Sequence, residues 1–378
     1  MKRTRFILLA VLFGFSLILL LEMTYLRGVS SRSGAPKNLY LLEAVIRLIR
    51  NDYLEEKDPV RVMEGSFKGM VNSLDSLSGY LDAGATKKYL ERRTGALQEP
   101  GLVLFKRYGA FPQVTGIIEN SPAEKQGLEW GDLITEIDGL STPAMSLMEA
   151  SLLLEDSEGK PLPLKVLRGE KTIELEVERA LLFSVPVSFE KQKGASGILR
   201  IHRISPPCVS EIETKVLPEI RKGNSPLVID LRNCRDGDFE ETRRFINLFL
   251  KSESLGYFEK RGGEKEIIAC PDDPPLAQIP LIVWINEGTV GPAEAAAAVL
   301  KELKRAQLVG LSTPGLAARH EFHPLEDGTS VLLTSGIFTL NSGLKLWGRG
   351  AEPDIPVEAD DQSLLAFLKK TQPLLSAS

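Results

Sequence analysis

The segment from Leu281 to His320 constrains the fold more than any other part of this 378-residue chain. Its first five residues, LIVWI, form an apolar run with the length of a buried strand. After an Asn-Glu-Gly turn, Gly291 and Pro292 suit the N-cap and the first position of a helix. The alanine-rich stretch to Arg305 favours that helix, and the run from Gln307 to Leu311 predicts a second buried strand. The segment therefore predicts an α/β crossover.

This segment resembles the catalytic core of the C-terminal-processing, or tail-specific, serine peptidases. That family has a turn like NEGSASASE before its helix and VGxxTxGKxxxQ after it. The corresponding runs here read NEGTVGPAE and VGLSTPGLAARH, and the frame matches without gaps. The resemblance places the family's nucleophilic serine at Gly291, its general-base lysine at Leu316, and the glutamine that orients the lysine at His320.

All three of these positions have changed. A Ser–Lys dyad needs a hydroxyl group and a neutral amine within hydrogen-bond reach, whereas glycine has no side chain and leucine cannot accept a proton. Loss of such a group of residues costs about 10⁶ in rate in a well-studied serine protease. We therefore expect a pseudopeptidase, which has the peptidase fold without its chemistry. The alternative is an active serine-type endopeptidase with rearranged catalytic residues that cuts proteins near their C-termini.

A fourth change lies in a separate segment, after the buried strand predicted from Leu227 to Leu231. The chain reads LRNCRDGD there, where the family has LRNNPGG and one of the glycines offers an oxyanion-hole amide. Arg235 and Asp236 replace the proline and the first glycine, and Gly237 is retained. A carboxylate at Asp236 would oppose the negative charge that develops at an oxyanion site.

Three hydroxyl groups near the changed positions are candidates for a displaced nucleophile: those of Thr289, Ser312 and Thr313. The favoured interpretation of Thr289 is a local hydrogen bond. His320 and His323 would point to opposite faces of an extended segment, so we expect no metal site there. No other motif indicates a metal or a cofactor. We expect His202 to be a satisfied histidine rather than a base.

A PDZ-like domain is predicted over residues 99–180. Its signature is ENSPAEKQGLEWGDLITEIDG, in which Ser-Pro-Ala starts a short helix and Gly127 ends it at a positive φ. The strand from Leu133 to Ile137 then runs into an Asp-Gly turn. A second helix is predicted from Met145 to Leu154, and a further strand from Pro163 to Leu167.

PDZ domains take the C-terminus of a peptide as an added strand and grip its carboxylate with loop amides. We expect this domain to bind apolar C-termini between the loop at residues 100–105 and the helix at residues 145–154. The predicted peptide-binding residues are Gly101, Leu102, Val103, Leu104, Leu147 and Leu154. The predicted partners are protein C-terminal tails or an active peptidase homologue, and the sequence leaves a homo-oligomer open.

Residues 1–30 have the features of a signal anchor. Basic residues precede the apolar run from Phe6 to Leu21, and no A-x-A-like cleavage site follows that run. The run is close to the roughly 20 residues that a membrane span needs. We therefore expect a single pass through the inner membrane, with the bulk of the chain periplasmic or otherwise extracytoplasmic. A cleaved signal peptide is the alternative.

The remaining segments complete the predicted order of domains. An N-terminal helical region is predicted over residues 38–95, where SLDSLSGYLDAGATKKYLE resembles the family's SLDPHSSYLDPEEYK. The peptidase-like core is predicted over residues 184–378, and the resemblance implies a ClpP/crotonase-like α/β fold for it. The predicted fold class is therefore a multidomain α+β and α/β chain. A membrane helix, a helical segment, a PDZ-like β-domain and an α/β core follow one another.

The net charge bears on nucleic-acid binding, and the cysteine content bears on metal sites and disulfides. A net charge of −5 gives no support for nucleic-acid binding. The three cysteines, Cys208, Cys234 and Cys270, match no metal motif in their spacing. Buried small side chains are the favoured interpretation, and a disulfide between two of them stays open.

Overall fold

The computed structural model describes residues 35–56, 58–92, 97–156, 158–182, 185–192, 197–220, 225–359 and 361–377. The chain divides into two compact units, residues 1–66 and residues 67–378. The signal anchor predicted at residues 1–30 lies outside the described residues. Within the described ranges, no helix is both long enough and apolar enough to cross a membrane.

The described part of the first unit is helical, as the sequence predicts. It comprises helix α1 (Ala35–Asp52) and the first part of helix α2 (Pro59–Asn72). Glu43 and Arg47 form an ion pair of 2.7 Å one turn apart on α1, which supports that helix modestly. The boundary between the two units falls inside α2, and so inside the predicted helical region at residues 38–95.

The second unit contains the remaining elements. Its described helices are α3 (Ala83–Arg92), α4 (Pro122–Lys125), α5 (Leu147–Leu154), α6 (Cys208–Glu211), α7 (Leu217–Ile220), α8 (Phe239–Asn247), α9 (Pro292–Glu302) and α10 (Leu364–Ala377). A π-helical turn, Ile212–Val216, joins α6 to α7, and a short 3₁₀ helix covers Arg261–Gly263.

The strands of this unit fall into three larger sheets and one short pair among the described residues. The first ten are β1 (Gly79–Leu81), β2 (Leu102–Phe105), β3 (Gln113–Ile117), β4 (Leu133–Ile137), β5 (Leu140–Ser141), β6 (Leu162–Arg168), β7 (Lys171–Val177), β8 (Val187–Glu190), β9 (Gly197–Ile201) and β10 (Arg203–Ile204). The others are β11 (Leu227–Asp230), β12 (Asp236–Gly237), β13 (Ser252–Lys260), β14 (Lys265–Cys270), β15 (Leu281–Ile285), β16 (Ala306–Gly310), β17 (Ala318–Pro324), β18 (Ser330–Thr339) and β19 (Ile355–Pro356).

The PDZ-like domain is built on the sheet β2-β3-β4-β6-β7, with β5 paired to β4. Its short helix α4 is capped by the Ser121 hydroxyl, and Gly127 follows at a φ of 77°, as the sequence predicts. Helix α5 begins two positions later than expected because Ser146 caps it, accepting a hydrogen bond from the Glu149 amide. The backbones of Glu99 and Ala180 pair with each other, at the two ends of the predicted domain.

The core is a sheet in the order β19-β16-β15-β11-β9-β8, parallel except for the antiparallel edge strand β8. Strand β15 is central, and all five of its residues are buried, as expected for a parallel strand covered on both faces. Helices α6 to α9 pack on one face, and α10 packs on the other. Trp284 on β15 fixes α10 through a 2.8 Å hydrogen bond from its indole to the Thr371 hydroxyl. This arrangement agrees with the predicted α/β core.

A second sheet, in the order β1-β18-β13-β14 with β17 on β18, lies beside this core. Strands β17 and β18 form a hairpin whose turn contains Asp327-Gly328, a pair of residues typical of such turns. Strand β1 was not expected, because the region at residues 38–95 was predicted to be helical. Its Tyr80 and Leu81 are buried, and Leu81 packs on Leu332 of β18. Pairing with β18 and burial of these two side chains explain why this segment is a strand of the second sheet.

Candidate functional site

Gly291 lies between β15 and α9 in a backbone conformation that only glycine adopts without strain. Its φ is 61° and its ψ is −114°, far from the regions that side-chain-bearing residues favour. A Cβ atom at this position would find its nearest heavy atom, the Leu316 carbonyl oxygen, at 3.8 Å. The position of the family's serine therefore has room for a side chain but carries none.

Leu316 occupies the position of the family's lysine, next to Gly291. Its residue surface is only 4% exposed, so the leucine is enclosed by the protein. An aliphatic side chain has no lone pair and cannot take a proton from a neighbouring hydroxyl group. The structure thus brings the first two changed positions together and supplies neither a nucleophile nor a base there.

Glu294 holds the loop that carries Leu316 against the first turn of α9. Its fully buried carboxylate accepts hydrogen bonds from the Thr313 hydroxyl, from the Gly315 amide at 2.6 Å and from the Leu316 amide at 2.7 Å. Burial raises the pKa of Glu294 to about 7, although these hydrogen bonds oppose the shift. The sequence motifs did not indicate that Glu294 would accept these three hydrogen bonds.

His320, at the position of the family's glutamine, lies on β17 opposite Thr334 of β18. It is half-buried, and burial together with the charge of Arg92 holds the pKa of its imidazole below the usual value. A neutral imidazole near pH 7 follows from this shift. His323 is further along the same strand and about half exposed. Within the described ranges, no group of three or more His, Cys, Asp or Glu residues is arranged to hold a metal ion.

The loop after β11 lies beside the start of α9, as the resemblance implies. The Val290 amide donates a 3.0 Å hydrogen bond to the Cys234 carbonyl oxygen. A Cβ atom at Gly237 would come within 2.9 Å of the Pro292 side chain, so glycine is needed for this close approach. The retained glycine therefore packs against the residue that follows Gly291.

Asp236 is paired rather than free beside this site. Its carboxylate lies 2.6 Å from the Arg92 guanidinium and 3.5 Å from that of Arg235. Burial opposes ionisation of Asp236, but the charges of the two arginines outweigh it and the pKa lies below the usual value. The carboxylate therefore stays ionised, and Arg92 offsets part of the negative charge that was expected to oppose an oxyanion.

Two of the three alternative hydroxyl groups are engaged in local hydrogen bonds. The buried Thr289 hydroxyl donates to the Leu231 carbonyl oxygen at 2.9 Å and accepts from the Asn286 amide at 3.0 Å. The Thr313 hydroxyl donates to Glu294. Both hydroxyl groups therefore hold the backbone around the site together, which agrees with the local role expected for Thr289.

The other candidates from the sequence lie apart from this arrangement. Ser312 is exposed to solvent. His202 lies between β9 and β10, with its Nε2 atom 3.2 Å from the Ser188 hydroxyl, and burial lowers its pKa to about 4. All three cysteines are buried free thiols, as the favoured interpretation expected.

The residues predicted to bind a peptide lie together in the PDZ-like domain. Leu102, Leu104 and Leu154 are buried in one apolar cluster, and half-buried Leu147 packs against it. Val103 is also buried. The remaining predicted residue is Gly101. Its φ is 91°, and a Cβ atom there would lie 2.4 Å from the Ser121 side chain. Strand β2 and helix α5 therefore pack together in this cluster, and binding of a peptide by these residues stays a prediction.

Polar contacts join this domain to the core at the candidate site, and the sequence did not predict them. The Asn233 side-chain amide donates to the Ile117 carbonyl oxygen at 2.9 Å. The Trp130 indole donates to the Glu287 carboxylate at 2.5 Å. Asn233 and Glu287 both follow buried parallel strands, whose carboxyl ends meet at one edge of a sheet. That rule could have found both residues.

Sequence profiles agree with this architecture. The profile of the family described as Peptidase family S41 matches residues 196–357, and the profile described as PDZ domain matches residues 113–168. These two segments contain strands β9 to β19 and the central strands of the PDZ-like sheet, respectively.

Two relatives illustrate how far the similarity extends. The carboxy-terminal processing protease CtpA of Bacillus subtilis (strain 168) is 27% identical over 344 residues, which is 90% of this chain and 73% of the relative. A probable CtpA-like serine protease of Staphylococcus aureus (strain N315) is 26% identical over 382 residues, which is 98% of this chain and 76% of the relative.

Among solved structures, the photosystem II D1 C-terminal processing protease has the same fold. The TM-score is 0.70 at 21% sequence identity, and the match covers 89% of this chain and 96% of that one. Profiles, relatives and fold thus agree with one another and with the motifs around Gly291. Residues 196–357 therefore match peptidase family S41, residues 113–168 match a PDZ domain, and the chain is similar along most of its length to CtpA-like C-terminal-processing proteases.

Proposed function

We propose that this protein is a pseudopeptidase that binds protein C-termini through its PDZ domain and acts as a scaffold or regulator. The observation that carries the proposal is the pair at the start of α9. Gly291 offers no nucleophile, and its neighbour Leu316 offers no base. Cleavage by rearranged catalytic groups is less well supported, because the hydroxyl groups of Thr289 and Thr313 are engaged in backbone-fixing hydrogen bonds.

The PDZ domain supplies the binding function in this proposal. Its β2 strand and α5 helix carry the leucines that would receive apolar side chains of a tail, and the terminal carboxylate would reach the loop at Gly101. A partner with a free apolar C-terminus, including an active peptidase of the same family, fits this chemistry. Binding to such a partner would make the protein a regulator of tail processing.

We further propose that residues 1–30 anchor the protein in the inner membrane with the rest of the chain outside the cytoplasm. The support is the basic start of the sequence followed by the apolar run from Phe6 to Leu21. A fusion of alkaline phosphatase after residue 378 tests the orientation, because that enzyme folds only outside the cytoplasm. High phosphatase activity in the membrane fraction is expected, and activity confined to the soluble fraction would contradict an uncleaved anchor.

Calorimetric titration tests the binding function. The full chain in mild detergent is titrated with a panel of decapeptides that end in apolar residues and a free carboxylate. We expect saturable heat with at least one peptide and a strong loss of affinity in Leu147→Gln. The matched control is Leu140→Gln, since Leu140 is exposed on β5 of the same domain and is not one of the predicted peptide-binding residues. No heat with any peptide would contradict the proposal.

A further inference from the structure

Arg235 connects the loop after β11 to the loop that precedes β2. One arm of its guanidinium donates to the carbonyl oxygen of Leu102, and the other donates to the carboxylate of Glu99. The side chains of Arg235 and Glu99 are only 16% and 13% exposed. An arginine that replaces the family's proline in the core therefore reaches into the tail-binding loop of the PDZ domain.

Glu99 and Arg235 belong to a chain of five charged groups. Arg235 also contacts Asp236 at 3.5 Å, Asp236 contacts Arg92 at 2.6 Å, and Arg92 contacts Glu155 at 3.3 Å. The second carboxylate oxygen of Glu155 is buried without a hydrogen-bond partner among the described residues. With all five groups ionised, the three carboxylates and two guanidinium groups carry one excess negative charge.

Because of this excess charge, the other four groups balance one another when one carboxylate leaves the set. If the Glu99 side chain turned out to solvent, Arg235, Asp236, Arg92 and Glu155 would form a neutral set of two acids and two bases. The freed arm of Arg235 would then be a buried donor in need of an acceptor, which is costly when left unmet. An incoming carboxylate would satisfy that donor and restore the present balance of charge.

The position of Arg235 matches the place where such a carboxylate would arrive. A peptide added alongside β2 brings its C-terminus to the start of that strand, where Leu102 and the preceding loop lie. The planar guanidinium group is the side chain best suited to hold a carboxylate through two parallel hydrogen bonds. Glu99 already presents a carboxylate to it from within the chain.

We propose that Arg235 is the receptor for the terminal carboxylate of a bound protein tail and that Glu99 is an internal stand-in that the tail displaces. The inference rests on the proposed function, because it requires a PDZ domain that binds tails. It assigns the recognition of the carboxylate to a residue of the core in addition to the loop amides. The ligand class is an apolar peptide with a free α-carboxylate.

The test compares two fluorescein-labelled decapeptides of one sequence with three apolar C-terminal residues, one a free acid and one a C-terminal amide. Anisotropy titrations of the full chain give the ratio of the two dissociation constants. We expect the wild type to prefer the acid and Arg235→Gln to lose most of that preference, with the loop amides supplying what remains. Glu99→Gln should bind the acid about tenfold more tightly, since the internal competitor is gone.

Two further variants make the test decisive. Arg243→Gln removes an arginine from an exposed pair with Glu240 on α8 and should behave like the wild type. Arg235→Lys keeps the charge but loses the two-armed geometry, so it should retain part of the preference for the acid even if Arg235→Gln does not fold. Thermal melts establish that each variant is folded.

The outcomes separate this inference from the proposed function. Tail binding whose preference for the acid is unchanged in Arg235→Gln and Arg235→Lys would overturn the inference and leave the proposed function intact. An unchanged affinity for the acid in Glu99→Gln would overturn the role of Glu99 as a stand-in. Failure of both the wild type and Glu99→Gln to bind either peptide would overturn the proposed function, and this inference with it.

Discussion

The Leu316 amide donates a 2.7 Å hydrogen bond to the carboxylate of Glu294 on the first turn of helix α9. This bond fixes the loop that carries the family's lysine position next to Gly291, which carries the serine position. The backbone frame of a peptidase site is therefore in place, while the side chains that would perform the chemistry are absent from these two positions. The stability of this frame and the proposed lack of peptidase activity can be tested separately.

The first prediction concerns the strained backbone at Gly291. Gly291→Ala should lower the free energy of unfolding by about 1–3 kcal/mol, because any side chain at this φ and ψ is disfavoured although space for it exists. Urea unfolding measures the change. The control is Gly69→Ala within helix α2, where a Cβ atom would make only an ordinary 3.7 Å contact and should be neutral or stabilising. Equal effects of the two substitutions would contradict this account.

The second prediction concerns pH and Glu294. Its pKa in the folded protein is about 7, above the ordinary value of 4.5, so between these values the folded state holds a proton that the unfolded state has released. Stability therefore falls as the pH rises through this window, by at most about 1.4 kcal/mol per pH unit from this one group.

Glu294→Gln isolates this effect, because the remaining titratable groups are common to both proteins. Unfolding free energies measured from pH 4.5 to pH 7.5 should decline more steeply in the wild type than in the variant. If the difference in unfolding free energy between the two proteins does not change with pH, Glu294 does not have a raised pKa in the folded state, and the prediction is wrong.

The third prediction concerns the paired charges beside the site. Arg92→Gln should cost about 2–4 kcal/mol, because it leaves the carboxylate of Glu155 without its ion-pair partner and that of Asp236 with Arg235 alone. Arg243→Gln removes one arginine from an exposed pair and should cost less than about 0.5 kcal/mol. Thermal and chemical unfolding of both variants checks the ranking, and a reversed order would contradict the assignment of these contacts.

Much of the fold follows from local patterns in the sequence. The buried run of β15, the serine cap of α4 and the Asp-Gly turn before β18 each predict their element from residues close together in the chain. Helix ends were less predictable. Helix α9 ends at Glu302 rather than at Arg305, and Lys304 adopts a positive φ there.

The contacts of the candidate site depend on distant segments, which local patterns do not encode. The sequence identified Gly291, Leu316 and Gly237 through the family resemblance, and the structure places them together. It did not indicate that Arg235 would contact Glu99, because 136 positions separate the two residues. Strand β1 was missed for the same reason, since its burial is provided by β18 far along the chain.

The central claim is the absence of peptidase chemistry, and a cleavage assay tests it most directly. The full chain is incubated with an unfolded substrate that bears an apolar tail, in parallel with a variant carrying Gly291→Ser, Leu316→Lys and His320→Gln. Substitutions of Thr289, Ser312 and Thr313 to Ala serve as controls, since a contaminating peptidase would cut equally in every sample. We expect no cleavage by the wild type beyond that common background. Cleavage by the wild type that falls when one of these three hydroxyl groups is removed would contradict the account.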